Sequence, residues 1–332
     1  TALEKWQTLA EAGDAEAQFK LARMYRKGQG VVQDGGKALM WYEKSAAQGD
    51  AAAQTALGVA YFAGRGVAGD YGKARAWLEK AAAQGFVPAM EALGDHYHDE
   101  ENSDPDQARD WYQKAAAGGE LHAALRLGDY YRDSDPDKAR TYYQAAASLR
   151  EPEARYKLAE MLRTSDPAAA RSWYRKAALE GYDQTDSAAK AAETLGNIYR
   201  HGENVPQNLT EAYSWYSRAA TIAAEMALAA MYENGEGVEA DRERARLLYQ
   251  RVSENYDYQI EPNPQDTPAV ALAYQKHADL ADADTPAEER KADYRQSLRL
   301  GNDAAIEKLR ALGEPADDIN RLLDERKNTT AP

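Results

Sequence analysis

The sequence predicts an all-α chain of helix–loop–helix units stacked into an α/α solenoid. Three observations carry that prediction. The stretch GDAEAQFKLARMYRKGQGVVQDGGKALMWYEKSAAQG, residues 13–49, returns as GDAAAQTALGVAYFAGRGVAGDYGKARAWLEKAAAQG, residues 49–85, a spacing of 36. Self-similarity at such a period is the mark of repeat architectures. Alanine is abundant, and 3 phenylalanines stand beside 22 tyrosines and 6 tryptophans, which suits close-packed helices rather than sheets. Within each unit the apolar residues recur at helical spacing.

Five more units follow in order. GFVPAMEALGDHYHDEENSDPDQARDWYQKAAAGG keeps the frame but loses the glycine loop. HAALRLGDYYRDSDPDKARTYYQAAA and EARYKLAEMLRTSDPAAARSWYRKAALEG are short, AAETLGNIYRHGENVPQNLTEAYSWYSRAA follows an insertion at residues 182–188, and AEMALAAMYENGEGVEADRERARLLYQR closes the series. The second helices are anchored by Trp41, Trp77, Trp111, Tyr142, Trp173, Trp215 and Leu248. Trp6, in LEKWQTLAEAG, marks a second helix whose first half is absent.

In each first helix the small residue of LG or LA defines position zero: Ala22, Gly58, Gly94, Gly128, Ala159, Gly196 and Ala229. Alanine recurs at −5, leucine at −1 and usually tyrosine at +3, one arc of about 140° at 100° per residue. The zero residue is expected to admit the partner helix closely, offsetting the helix-propensity cost of glycine. Gly28, Gly64 and Gly235 are expected to close their helices with positive φ. In the shorter units Asp104-Pro105, Asp135-Pro136 and Asp166-Pro167 start the second helix, with aspartate as cap and proline at the first helical position.

These residues and motifs resemble the Sel1-like repeat family over roughly residues 3–252. The resemblance implies a right-handed superhelical solenoid used mainly to hold other proteins. The domain division expected is 1–252 for the repeats and 253–332 for the rest. SENYDYQIEPNPQDTP reads as a linker. Helical patterning at 269–280, 286–300, 303–312 and 315–326 reads as a degenerate unit and a polar cap, and KNTTAP as a disordered tail.

The stretch ALGDHYHDEENSD invites a metal reading, with His96 and His98 beside Asp99, Glu100 and Glu101. Two residues apart on a helix, the histidines point about 160° from each other, whereas a shared ion needs i, i+3 or i, i+4 spacing. A helix end with a solvated acidic loop is the stronger reading. GQGVVQDGG lacks the Lys-Ser/Thr ending of a phosphate loop and follows a helix. His122, His201 and His277 lack a triad pattern. The Trp-Tyr pairs, at a fixed repeat position, read as packing rather than a carbohydrate platform. No catalytic residue, cofactor or metal is expected.

A partner is expected on the first-helix face opposite the packing arc, at −3, +1 and +4, which lie within about 60° of each other. Those positions hold Phe19, Arg23 and Arg26; Thr55, Val59 and Phe62; Glu91, Asp95 and His98; Leu125, Asp129 and Arg132; Tyr156, Glu160 and Arg163; and Glu193, Asn197 and Arg200. The +1 column reads as an acidic strip (Asp95, Asp129, Glu160) beside a basic +4 column (Arg132, Arg163, Arg200) on a solvated groove.

The net charge of −14 argues against nucleic acid and anionic lipid as partners. No apolar run is long enough to span a bilayer, and the absence of cysteine excludes disulfides and thiolate chemistry. The start at Thr1 suggests a removed export signal, with a lipid-bearing cysteine upstream compatible with it. The chain also resembles exported Sel1-repeat proteins of Gram-negative bacteria. That resemblance implies a periplasmic immunity protein neutralising a phospholipase effector of type VI secretion. The alternatives are an exopolysaccharide-export scaffold, a cytoplasmic adaptor, or a host-directed factor.

Overall fold

The computed structural model describes residues 2–99, 103–149, 151–180, 186–257 and 263–329; among the described residues there are nineteen α-helices and no strand. In chain order they are α1 (Ala2–Glu11), α2 (Ala15–Lys27), α3 (Gly35–Ala47), α4 (Ala51–Ala63), α5 (Tyr71–Ala83), α6 (Val87–His98), α7 (Pro105–Ala117), α8 (Leu121–Tyr131), α9 (Pro136–Ser148) and α10 (Pro152–Leu162). Then come α11 (Pro167–Glu180), α12 (Asp186–His201), α13 (Leu209–Ala219), α14 (Ile222–Asn234), α15 (Arg242–Asp257), α16 (Thr267–Asp279), α17 (Ala287–Arg299), α18 (Ala305–Ala311) and α19 (Ala316–Thr329). Contacts group the chain into two compact units, Thr1–Ala154 and Arg155–Pro332.

In the first unit α2 pairs with α3, α4 with α5, α6 with α7 and α8 with α9, and each pair packs on the next. The half-repeat helix α1 packs on α2, with Trp6 against that core. The second unit repeats the plan with α12–α13, α14–α15 and α16–α17, and α17 then carries α18 and α19. The helix-pair plan therefore continues beyond the expected repeat boundary at residue 252. α15 itself runs to Asp257, so the first residues of the expected linker are helical; residues 258–262 lie outside the described residues. The tail motif is likewise helical through Thr329, because α19 buries Ile319 and Leu322 against Leu298 and Leu309.

Why the pairs form follows from the repeat frame. The −5 alanines from Ala17 to Ala224 and the −1 leucines are buried in every unit. Against the zero glycine lies a large side chain of the partner helix, Leu78 at Gly58 and the second aromatic of the pair at Gly94, Gly128 and Gly196. A Cβ added at Gly94, Gly128 or Gly196 would lie within 2.5 Å of the ring of Tyr112, Tyr143 or Tyr216. Those rings are buried, a burial worth roughly 1.5–3 kcal/mol for a large apolar side chain. The caps follow expectation. Gly28, Gly64 and Gly235 end their helices at φ of +68°, +61° and +72°. Asp104, Asp135 and Asp166 each accept a backbone N–H three residues on, at 3.0–3.1 Å. Buried glutamines also link successive units: Gln18 donates to the Ala10 carbonyl at 3.0 Å and Gln54 to the Ala46 carbonyl at 3.2 Å, and each accepts at 2.8 Å from the glutamine that ends the second helix of its own unit, Gln48 or Gln84.

Candidate protein-binding site

The +1 column is engaged in packing. Asp95 accepts the Tyr112 phenol at 2.7 Å, Asp129 the Tyr143 phenol at 2.7 Å, and Asn197 the Tyr216 phenol at 2.6 Å. Glu160 accepts the phenol of Tyr174. Burial first, and the carboxylates with it, push the phenols of Tyr112, Tyr143 and Tyr174 well above their ordinary range. The acid at +1 is thus the acceptor that a buried tyrosine requires, since an unpaired buried hydroxyl is costly.

The basic column is also engaged. Arg163 pairs with Glu203 at 2.8 Å, and Arg200 meets Glu236 through Nη2 and Nε at 2.8 and 3.1 Å. Arg132, exposed, pairs with Asp133 at 3.2 Å. The expected acidic and basic strips are thus bonded within the chain. These side chains bond tyrosines of the partner helix, their own turn, or the loop of the following repeat. Leu125 is corrected: it is buried in the core because α8 turns its −3 position inward. Among the rest, Glu91 meets His122 at 2.7 Å, Tyr156 packs on Tyr174, Glu193 accepts the Thr221 hydroxyl, and Thr55 donates to the Ala51 carbonyl. His98 is exposed at the end of α6.

His96 is buried and joins Phe62 and Tyr71 in a cluster of three rings with centroids 5.6–5.7 Å apart. Burial chiefly, and the Arg75 charge, lower its pKa, so the neutral ring is favoured. Glu100 and Glu101 lie outside the described residues, and no group of three His, Cys, Asp or Glu among the described ones is placed to hold a metal ion. The tryptophan faces are covered: Lys44, Lys80, Lys114 and Lys176 stand 3.7–4.3 Å from the rings of Trp41, Trp77, Trp111 and Trp173.

One group of the expected binding residues does converge. Phe19, Arg23 and Arg26 of α2 line a cleft of about 620 Å³, with Tyr42 and Leu39 of α3 and Val59 of α4 on its other walls. That size falls within the range of ligand pockets. Phe62 lies outside the cleft, in the ring cluster.

The repeats themselves identify the family. Its sequence profile, the Sel1 repeat, matches residues 15–50, 51–86, 87–120, 121–150, 152–182, 189–221 and 222–257, well over half the chain. The chain belongs to the Sel1 repeat family. Its structure is similar to that of c5321, described as a protective antigen present in uropathogenic Escherichia coli strains displaying an SLR fold. The TM-score is 0.68 at 25% identity, covering 98% of this chain and 71% of that one. It is also similar to a Sel1 repeat protein from Oxalobacter formigenes, with TM-score 0.61 at 29% identity over 76% of each chain. No curated protein matches. The Sel1 frame explains why the cleft is open. Arg26, Gly35 and Ala60 occupy the positions that Phe62, Tyr71 and His96 occupy one repeat later. Three rings fill the later interface; an arginine, a glycine and an alanine leave the earlier one hollow. The sequence carried that signal, since Gly35 and Ala60 are the small members of those two columns.

Proposed function

We propose that this Sel1 repeat protein is a non-catalytic scaffold that holds another protein. The observation that carries the reading is the cleft at Phe19, Arg23 and Arg26, an open concavity on a frame whose other polar columns are bonded internally. Rigid stacked helix pairs present such a surface without much ordering cost on binding. The partner proposed is a phospholipase-type secretion effector, and the chain is its immunity protein in the periplasm. The support for this finer version is the resemblance to exported Sel1-repeat proteins of Gram-negative bacteria. The test is capture of partners from the native organism on the purified chain, with cell fractionation of the full gene product. One stoichiometric effector whose lipase activity falls when the chain is added supports the immunity version. Capture of polysaccharide-export proteins instead replaces it with an assembly scaffold. Failure to capture any stoichiometric partner under either condition counts against the scaffold reading itself.

A further inference from the structure

The cleft between α2, α3 and α4 has a charge pattern that departs from the rest of the frame. At +1, where later repeats place Asp95, Asp129 and Glu160 to accept a buried phenol, the first repeat places Arg23. The corresponding phenol, Tyr42, therefore has Arg26 and Arg23 as its charged neighbours. At +7, where Glu203 and Glu236 neutralise the +4 arginine of the preceding repeat, the second repeat places Arg65. Both carboxylates that the frame would supply are thus replaced by guanidiniums. Arg23, Arg26 and Arg65 all line the same cleft, no carboxylate lines it with them, and none of the three pairs with a carboxylate among the described residues.

Three like charges brought together without a counterion are unfavourable unless something anionic completes the site. The chain's net charge of −14 does not oppose this inside the cleft. Charges beyond about 8 Å are largely screened at physiological salt, so the local guanidiniums dominate. The walls specify more than charge. Phe19, held against Tyr42 with ring centroids 5.8 Å apart, and Val59, 37% exposed, offer apolar surface beside the guanidiniums. Arginine pairs with planar carboxylates through two parallel hydrogen bonds. We propose that this cleft binds an acidic peptide segment of the partner protein, with two or more carboxylates on Arg23, Arg26 and Arg65 and an apolar side chain between Phe19 and Val59. The proposal rests on the scaffold reading and names the chemistry its partner presents.

The experiment uses the full chain and fluorescence anisotropy. Its probes are capped, fluorescein-labelled hexapeptides with four glutamates and two apolar residues at varied positions, their glutamine counterparts, and inorganic pyrophosphate as competitor. At least one acidic peptide is expected to bind, at least ten-fold more tightly than its glutamine counterpart, and to weaken with salt. Arg23→Asp with Arg65→Glu restores the acids that the frame uses elsewhere and should cut affinity at least ten-fold with helicity retained. Gly35→Tyr installs the ring the next repeat carries. A Cβ there meets only the Gly66 Cα at 3.6 Å, so the side chain enters the cleft and should abolish binding with all three arginines in place. Equal binding of both peptide sets, indifference to Gly35→Tyr, binding of pyrophosphate alone, or no binding at millimolar peptide each overturns the proposal. A captured partner that ignores these variants leaves the scaffold reading standing and removes the cleft from it.

Discussion

Gly94 is the position where the close approach of paired helices is most sharply testable. A Cβ there would sit 2.4 Å from Cδ1 and Cε1 of Tyr112 and 2.9 Å from Cζ. The ring cannot simply swing away, because it is buried and its hydroxyl is held by Asp95 at 2.7 Å. Gly94→Ala gains about 1 kcal/mol of helix propensity, against about 1–3 kcal/mol for overpacking. The net expectation is a loss of about 1 kcal/mol. The frame already accepts alanine at Ala22, Ala159 and Ala229, so a methyl alone is tolerable where the pair is spaced for it. Gly94→Leu adds three more heavy atoms with no comparable compensation. It displaces the ring and strains or breaks a hydrogen bond to a charged acceptor, itself worth about 1.5–3 kcal/mol. A loss of about 3–4 kcal/mol is expected. Urea unfolding followed by far-UV circular dichroism reads both values, as shifts in the transition of the first unit. A Gly94→Leu midpoint within error of the parent would refute the claim that the glycine marks tight contact.

Burial raises the phenols of Tyr112, Tyr143 and Tyr174 in the fold. Each therefore contributes stability that is present below the ordinary tyrosine value of about 10 and is lost as pH rises above it; thermal melts of the triple phenylalanine variant should show a shallower alkaline decline. His122 is raised, chiefly by its hydrogen bond to Glu91. Its contribution is full below about pH 6.5 and lost as pH rises through the raised folded value, and Glu91→Gln should remove that slope. His96 acts oppositely: its folded value is lowered, so stability falls as pH drops below about 6.5, and His96→Phe should flatten the acid side of the curve. Arg200→Glu sets a carboxylate against Glu236 in place of the pair at 2.8 Å. A loss of about 1 kcal/mol is expected for this partly exposed pair, with Arg200→Glu/Glu236→Arg recovering most of it in the same urea titration.

The repeat frame was legible because periodic packing leaves a periodic trace. Alanine at −5, leucine at −1 and a small residue at zero recur at fixed spacing, and each first helix puts them on its buried face. The caps were legible too, since Asp-Pro and glycine act through their own backbone. The candidate cleft was only partly so. Angles around one helix group Phe19, Arg23 and Arg26, which line one cleft in the fold, but those angles do not say what reaches a side chain from another helix or loop. That is why Asp95 and Asp129 read as an acidic strip although they hold tyrosine phenols, and why Arg163 and Arg200 read as a basic one although each meets a glutamate from the next repeat.

By itself, then, the sequence determined the helix-pair architecture, the caps and the register, all of which depend on residues within about one turn or one repeat of each other. Tertiary structure alone decided which polar side chains are engaged and where space remains, because both depend on what reaches a side chain from another helix or loop, 14–40 positions away for the pairs of Asp129, Asp95, Arg200 and Arg163. His96 reads in sequence as half of a metal pair. In the fold it fills the space between Phe62 and Tyr71, and the absence of such a ring at Ala60 opens the cleft one repeat earlier.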